Sequence, residues 1–283
     1  MTAKMYAHFK NLSRSAYLPV LTFITFLLLW QGLVETNLFP RAYLPPPLEV
    51  AAALLYLTGS GLLLEHIGAS MWRFIWGYGL AAAAGIPLGL LLGRTNKARE
   101  AVGPLIQILR PISPIAWIPL AILWFGTGNN AAIFIIFLAS FFIILLSAAA
   151  SLNQVEKNLL DMARNFGAKE KDLLLKVILP AAYPQILLGL QVALGAAWIH
   201  LVAGEMIAVQ SGLGFLIIDS RNLLRYDSVI AAMLVIGLLG LFINWFIKKA
   251  GDTAARKWGF SYAAPESESK VAGDKQSILF GEK

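Results

Sequence analysis

The sequence predicts an all-α, polytopic membrane protein of about six transmembrane helices, with a charged hairpin on one membrane face. Three observations lead there. Of 283 residues, 58% are hydrophobic and only 14% charged, and the mean hydropathy is +0.68, whereas soluble domains carry about a quarter charged residues. The apolar residues fall in runs long enough to cross a bilayer, which takes about 20 residues of helix. Between the fourth and fifth runs, residues 151–180 hold nine ionisable side chains, a density that hydrocarbon does not tolerate.

The elements follow in chain order. Residues 1–16 form a basic arm with Lys4, Lys10 and Arg14. Span 1 covers about 17–34; it is long for a signal core and no small-residue cleavage site follows, so it reads as retained. Consecutive prolines at 45–47 force an extended path. The stretch 49–67 is apolar but interrupted by Gly59, Ser60, Gly61 and Glu65, which predicts an interfacial helix and turn. Span 2 covers about 70–92. Its Gly77, Gly79, Gly85 and Gly89 permit close helix approach, and Pro87 is expected to kink it. Residues 93–101 read as a short basic loop.

Span 3, about 102–125, is interrupted by Pro104, Pro111, Pro114 and Pro119. That predicts a bent or unwound segment, which a bilayer tolerates only against protein or a water-filled path. Span 4 covers about 131–150, span 5 about 186–209 with His200 and Glu205, and span 6 about 229–247. Residues 210–228 read as a mixed re-entrant or surface loop. The organisation is thus an arm (1–16), a membrane domain (17–250) containing the charged loop 151–184, and a tail (251–283).

Within the charged loop, Leu159, Met162, Ala163 and Phe166 recur at helical spacing. Gly167 breaks the pattern, a second helical run starts at Lys169, and Pro180 is expected to close it. An amphipathic hairpin of this kind suits docking onto a partner; the plainer alternative is an ordinary connecting loop. Six spans put both termini, loop 93–101 and the hairpin on one side. That side gathers 18 of the 23 lysines and arginines, which makes it cytoplasmic.

Several function classes are excluded. Cysteine is absent, so no thiolate or disulfide chemistry is available. His8, His66 and His200 are scattered without metal-ligand spacing. There is no phosphate-binding loop and no nucleophile–base signature; GSG at 59–61 and GLG at 212–214 are not nucleotide fingerprints. The net charge of +7 is explained by topology rather than by nucleic acid. The expectation is a chain with no catalytic residue, metal or cofactor of its own.

A few residues inside the spans could carry chemistry. Arg110 lies in the proline-broken span, where a fixed cation and freed N–H groups would suit an anionic solute; otherwise it snorkels or pairs at an interface. Glu205 reads as a partner across the bundle or as a path residue. Trp117, Trp124 and Trp198 are interface anchors or part of a path wall. The path candidates are Arg110, Pro111, Ser113, Pro114, Trp117, Trp198 and Glu205.

The hairpin resembles the cytoplasmic loop of inner-membrane permeases of binding-protein-dependent ABC importers. Its Asp161-Met162-Ala163, Gly167 and Ile178-Leu179-Pro180 stand where that family has Glu-Ala-Ala, Gly and a hydrophobic residue before Leu-Pro. Asp161 and Met162 depart from the pattern. Residues 109–129 resemble the nitrate, sulfonate and taurine branch through Arg110, Pro111, Pro114, Ala116, Trp117, Pro119 and Leu120, with Ser113 departing. LVAGEMI (201–207), SGLGFLI (211–217) and GIPLGLLLGR (85–94) also match, so the resemblance covers roughly 60–250.

The resemblance implies a non-catalytic permease subunit for a small oxyanion in a bacterial inner membrane. It implies a second permease subunit, taken as a homodimer, two cytoplasmic ATPases holding the ATP and Mg, and an extracytoplasmic solute-binding protein. Leu159, Asp161, Met162, Ala163, Arg164, Phe166, Gly167, Ala168, Leu179 and Pro180 would couple to the ATPase. Bicarbonate as the solute, or an ion-gradient-driven transporter, are the alternatives.

Overall fold

The computed structural model describes residues 2–257 apart from 37, 39, 41–42 and 153–156. The tail beyond 257 therefore lies outside the described residues. The order is α1 (Thr2–Glu35), α2 (Pro47–Gly59), α3 (Leu62–Arg94), α4 (Asn96–Leu109), a 3₁₀ turn (Pro114–Trp117), α5 (Ile118–Phe125), α6 (Asn129–Ser151), α7 (Lys157–Asn165), α8 (Glu170–Asp172), a π turn (Leu173–Ile178), α9 (Leu179–Ala208), α10 (Leu213–Asn222) and α11 (Tyr226–Lys257). Among the described residues there is no strand.

Five helical segments are long and apolar enough to span a membrane, and a sixth forms if α4 and the 3₁₀–α5 segment count as one bent span. Half of the apolar window of α6 is buried, against 6% for Tyr17–Glu35 of α1. The core is therefore α6 between α3 and α9, and α1 leaves its apolar face open.

Small residues make that core possible. A side chain on Gly89 would overlap the backbone of Leu145 and the Ala148 methyl, and one on Gly77 would overlap Ile136. These glycines bring α3 and α6 together, since lipid exerts no hydrophobic force between helices and close backbone packing must do it. Across the bundle, α9 lies against α6 and α3 through Leu194, Ala197 and Leu201.

Several expectations are corrected. Span 2 begins at Leu62, not near 70, so the second half of stretch 49–67 belongs to α3. The break is confined to Ser60 and Gly61, the latter at φ 79°. Residues 93–101 are not a loop: the chain interrupts only at Thr95, and α4 starts at Asn96. α3 continues through Pro87. Span 3 does bend, by 84°, at Arg110–Ser113.

Pro180 does not close the second arm of the hairpin. The arm runs on through the π turn into α9, and Pro180 sits in the first turn of that helix. Span 5 accordingly begins at Leu173, not near 186. Proline lacks an N–H and its ring collides with the carbonyl four residues earlier. The widened turn, closed by Leu179 N–H on Leu174 O, shifts that carbonyl pattern and removes the conflict. Residues 210–228 are mostly α10, with Leu213, Gly214, Leu216 and Ser220 buried.

Candidate functional site

Three places combine polar chemistry with defined geometry. The first lies where α3 begins and α9 ends. His66, Ser70 and Arg73 follow one another at helical spacing on α3, so they share a face. All three are buried, as is Glu205 from α9. Arg73 Nη1 lies 2.6 Å from Glu205 Oε1, with the two side chains 2% and 0% exposed. The guanidinium also donates to Asn129 Oδ1 at 2.8 Å, to the Ser211 carbonyl at 2.8 Å and to the Ser211 hydroxyl. The Glu205 carboxylate accepts from the Ser70 hydroxyl and from Gly214 N–H at 3.0 Å.

The loop into α10 is held by the same group. Leu213 N–H donates to Ser70 Oγ at 2.8 Å, and Gly212 N–H donates to His66 Nδ1 at 3.0 Å. Gly212 sits at φ 101°, and any side chain there would overlap the Glu205 carboxylate. Glycine is required on both counts. Five elements (α3, α6, α9, the loop before α10 and the first turn of α10) thus meet on one charge pair. A buried charge is tolerated only when paired and hydrogen-bonded, and here both conditions hold.

The second place is the bend of span 3. Arg110, Pro111 and Ser113 are exposed there, while Trp117 is half-buried. Arg110 forms no ion pair among the described residues. It lines a cavity of about 440 Å³ with Pro114, Trp117, Phe134 and His200. It also lines a second cavity, of about 780 Å³, with Pro111, Arg99 and Gln107. His200 therefore faces the Arg110 side of α9, and Glu205 faces the Arg73 side. Trp198 belongs to neither: it is buried edge-on to Phe74 and donates Nε1–H to the Ile236 carbonyl at 3.1 Å.

The third place is the hairpin. α7 ends in a Schellman cap: Gly167 at φ 77° donates to Arg164 O at 2.9 Å, and Ala168 N–H donates to Ala163 O at 3.1 Å. Phe166 is 87% exposed and Met162 57% exposed. Asp161 and Arg164 form an exposed pair at 3.5 Å. Leu179 and Pro180 lie beyond the π turn, at the start of α9. The side chain of Leu159 lies outside the described residues.

The sequence reading missed His66, Ser70, Arg73, Asn129 and Ser211 as a group. With span 2 counted from about residue 70, Arg73 falls near a span end rather than inside the bundle. The polar spacing at 66, 70 and 73 within an apolar run was the available signal.

These features define an α-helical, multi-pass membrane protein with a broken span and a projecting hairpin. The chain belongs to the family described as binding-protein-dependent transport system inner membrane component, whose model matches residues 85–250. It is 35% identical to the taurine transport system permease protein TauC of Escherichia coli, over 82% of this chain and 86% of that one. It is 37% identical to a nitrate import permease, NrtB, of Leptolyngbya laminosa, over 67% of this chain and 69% of that one. The fold resembles a chain of the inward-facing MetNI methionine ABC transporter, with TM-score 0.59, 21% identity, and coverage of 71% of this chain and 98% of that one. The protein is thus a permease component of an ABC importer, set in the inner membrane by multiple spans.

Proposed function

We propose that this permease imports a small oxyanion, a sulfonate such as taurine or else nitrate, along a path beside the broken span. The observation that carries this reading is Arg110: a permanent cation at an 84° break, exposed to two cavities and without an ion pair among the described residues. A cation held this way attracts an anion without binding a carboxylate of its own. The names of the taurine and nitrate relatives support the same solute class.

The hairpin then faces the cytoplasm, as the 18 of 23 basic residues on its side support, and docks on a separate ATPase that holds ATP and Mg. Exposed Phe166 and Met162 are apolar groups awaiting a groove, and Gly167 sets the angle at which they are presented. A second copy of the chain completes the path, and a solute-binding protein delivers the ligand from outside. The test is ATP-driven uptake into vesicles holding the whole assembly. Arg110→Gln is expected to abolish uptake of sulfonate and nitrate alike while the protein inserts normally; undiminished uptake would remove Arg110 from the path.

A further inference from the structure

The cavity shared by Arg110 and His200 carries more information than its charge. Its volume, about 440 Å³, lies within the range of small-molecule sites. Among the described residues no aspartate or glutamate lines it, and apart from Arg110 and His200 its described walls are apolar, including Trp117, Phe134 and Phe142.

His200 is the discriminating group. Its Nδ1 lies 2.7 Å from the carbonyl of Ala196, one turn back on α9. A carbonyl only accepts, so Nδ1 must carry the hydrogen. In the neutral ring Nε2 is then left with a lone pair and accepts. A bare oxyanion has nothing to give such a nitrogen, whereas a ligand with an amine or hydroxyl does.

We propose that this cavity is a ligand subsite selective for a small oxyanion that also carries a hydrogen-bond donor, Arg110 taking the oxyanion and His200 Nε2 the donor. The ligand class is a short amino- or hydroxy-alkyl sulfonate. Trp117 and Phe134 line the cavity and supply apolar surface for the ligand's methylenes. Nitrate, which has no donor, satisfies only half of the site. This rests on the reading of Arg110 as a path residue and deepens it.

The test uses the full chain with its co-purified subunits in lipid nanodiscs, without a solute-binding protein, so that only this site selects. Radiolabelled aminoethanesulfonate is bound and competed with hydroxyethanesulfonate, ethanesulfonate and nitrate. Both donor-bearing sulfonates are expected to compete better than ethanesulfonate: aminoethanesulfonate about tenfold or more, because its ammonium makes a charged hydrogen bond, and hydroxyethanesulfonate about fivefold, because its hydrogen bond to the neutral ring is uncharged. His200→Leu should erase that gap, and His200→Gln, which keeps an acceptor, should restore part of it.

Equal competition by all the sulfonates, or a gap that survives in His200→Leu, would overturn the inference while leaving Arg110 in the path. Nitrate competing as well as aminoethanesulfonate would show a ring that donates rather than accepts, and would overturn it too. Unchanged binding in Arg110→Gln, or no saturable binding at millimolar ligand, would overturn both.

Discussion

The two ends of the helical bundle treat their side chains in opposite ways. Where α3 starts and α9 ends, Arg73 and Glu205 are almost wholly buried and fully occupied with hydrogen bonds. Where α6 ends and α9 starts, Phe166 and Met162 stand in the open on a stiff turn. The first end puts charge inside; the second puts apolar surface outside. Each looks wrong by a simple inside–outside rule, and the reason differs. The buried pair is complete within one chain, since every partner comes from α3, α6, α9, the loop before α10 or the first turn of α10. The exposed pair is uncovered within this chain, and the proposed function gives it an ATPase groove to enter. A self-contained site should govern folding, and an unfinished one should govern assembly.

The comparison can be broken most forcefully at its buried end. Glu205→Ala leaves the Arg73 guanidinium buried without a counter-charge, which costs about 3–5 kcal/mol. The expected outcome is loss of monodisperse protein after extraction, read by size-exclusion chromatography. The double variant Arg73→Met/Glu205→Leu should recover most of that loss, because it leaves neither charge behind. If both variants behaved alike, the pair would not be the unit that matters. Next in size is Gly89→Leu, which forces α3 off α6 by an overpacking cost of about 1–3 kcal/mol, visible as a lower thermal unfolding midpoint.

At the open end the expectation reverses. Phe166→Ala should change thermal unfolding by no more than about 0.5 kcal/mol, as for surface positions generally. Yet it should lower ATP-driven uptake by about tenfold or more, the effect of losing a central anchor of an interface. Reduced stability with normal uptake would invert the comparison. The smallest effect is expected from Asp161→Asn: its pair with Arg164 is long and exposed, so unfolding should be unmoved, and only capture of the ATPase by crosslinking should weaken.

Much of this was legible beforehand. Six apolar runs, the bend among Pro111 and Pro114, and the helix–Gly167–helix hairpin all follow from hydropathy and residues that punctuate a chain. Helix ends are less legible. Leu62–Ala69 looked separate because Ser60 and Gly61 precede it, and Pro180 looked like a stop because proline stops most helices. A π turn upstream reverses that rule, and nothing in the local composition announces it.

The two arginines show the same limit. Arg110 and Arg73 both fall within apolar runs of the sequence, and the sequence offers no way to tell a cation facing a cavity from one locked to a carboxylate. That difference depends on which helix faces lie together. Arg73 meets a partner 132 residues away, while Arg110 meets none among the described residues.

By itself, then, the sequence determined what depends on neighbours along the chain: the apolar runs, the break at Arg110–Ser113, and the helix–Gly167–helix hairpin. Tertiary structure alone decided which polar groups are spent on one another and which stay open. The physical reason is that hydropathy is a local sum. Pairing Arg73 with Glu205 requires α3, α6 and α9 to pack closely enough, through Gly77 and Gly89, for charges on separate helices to meet away from water.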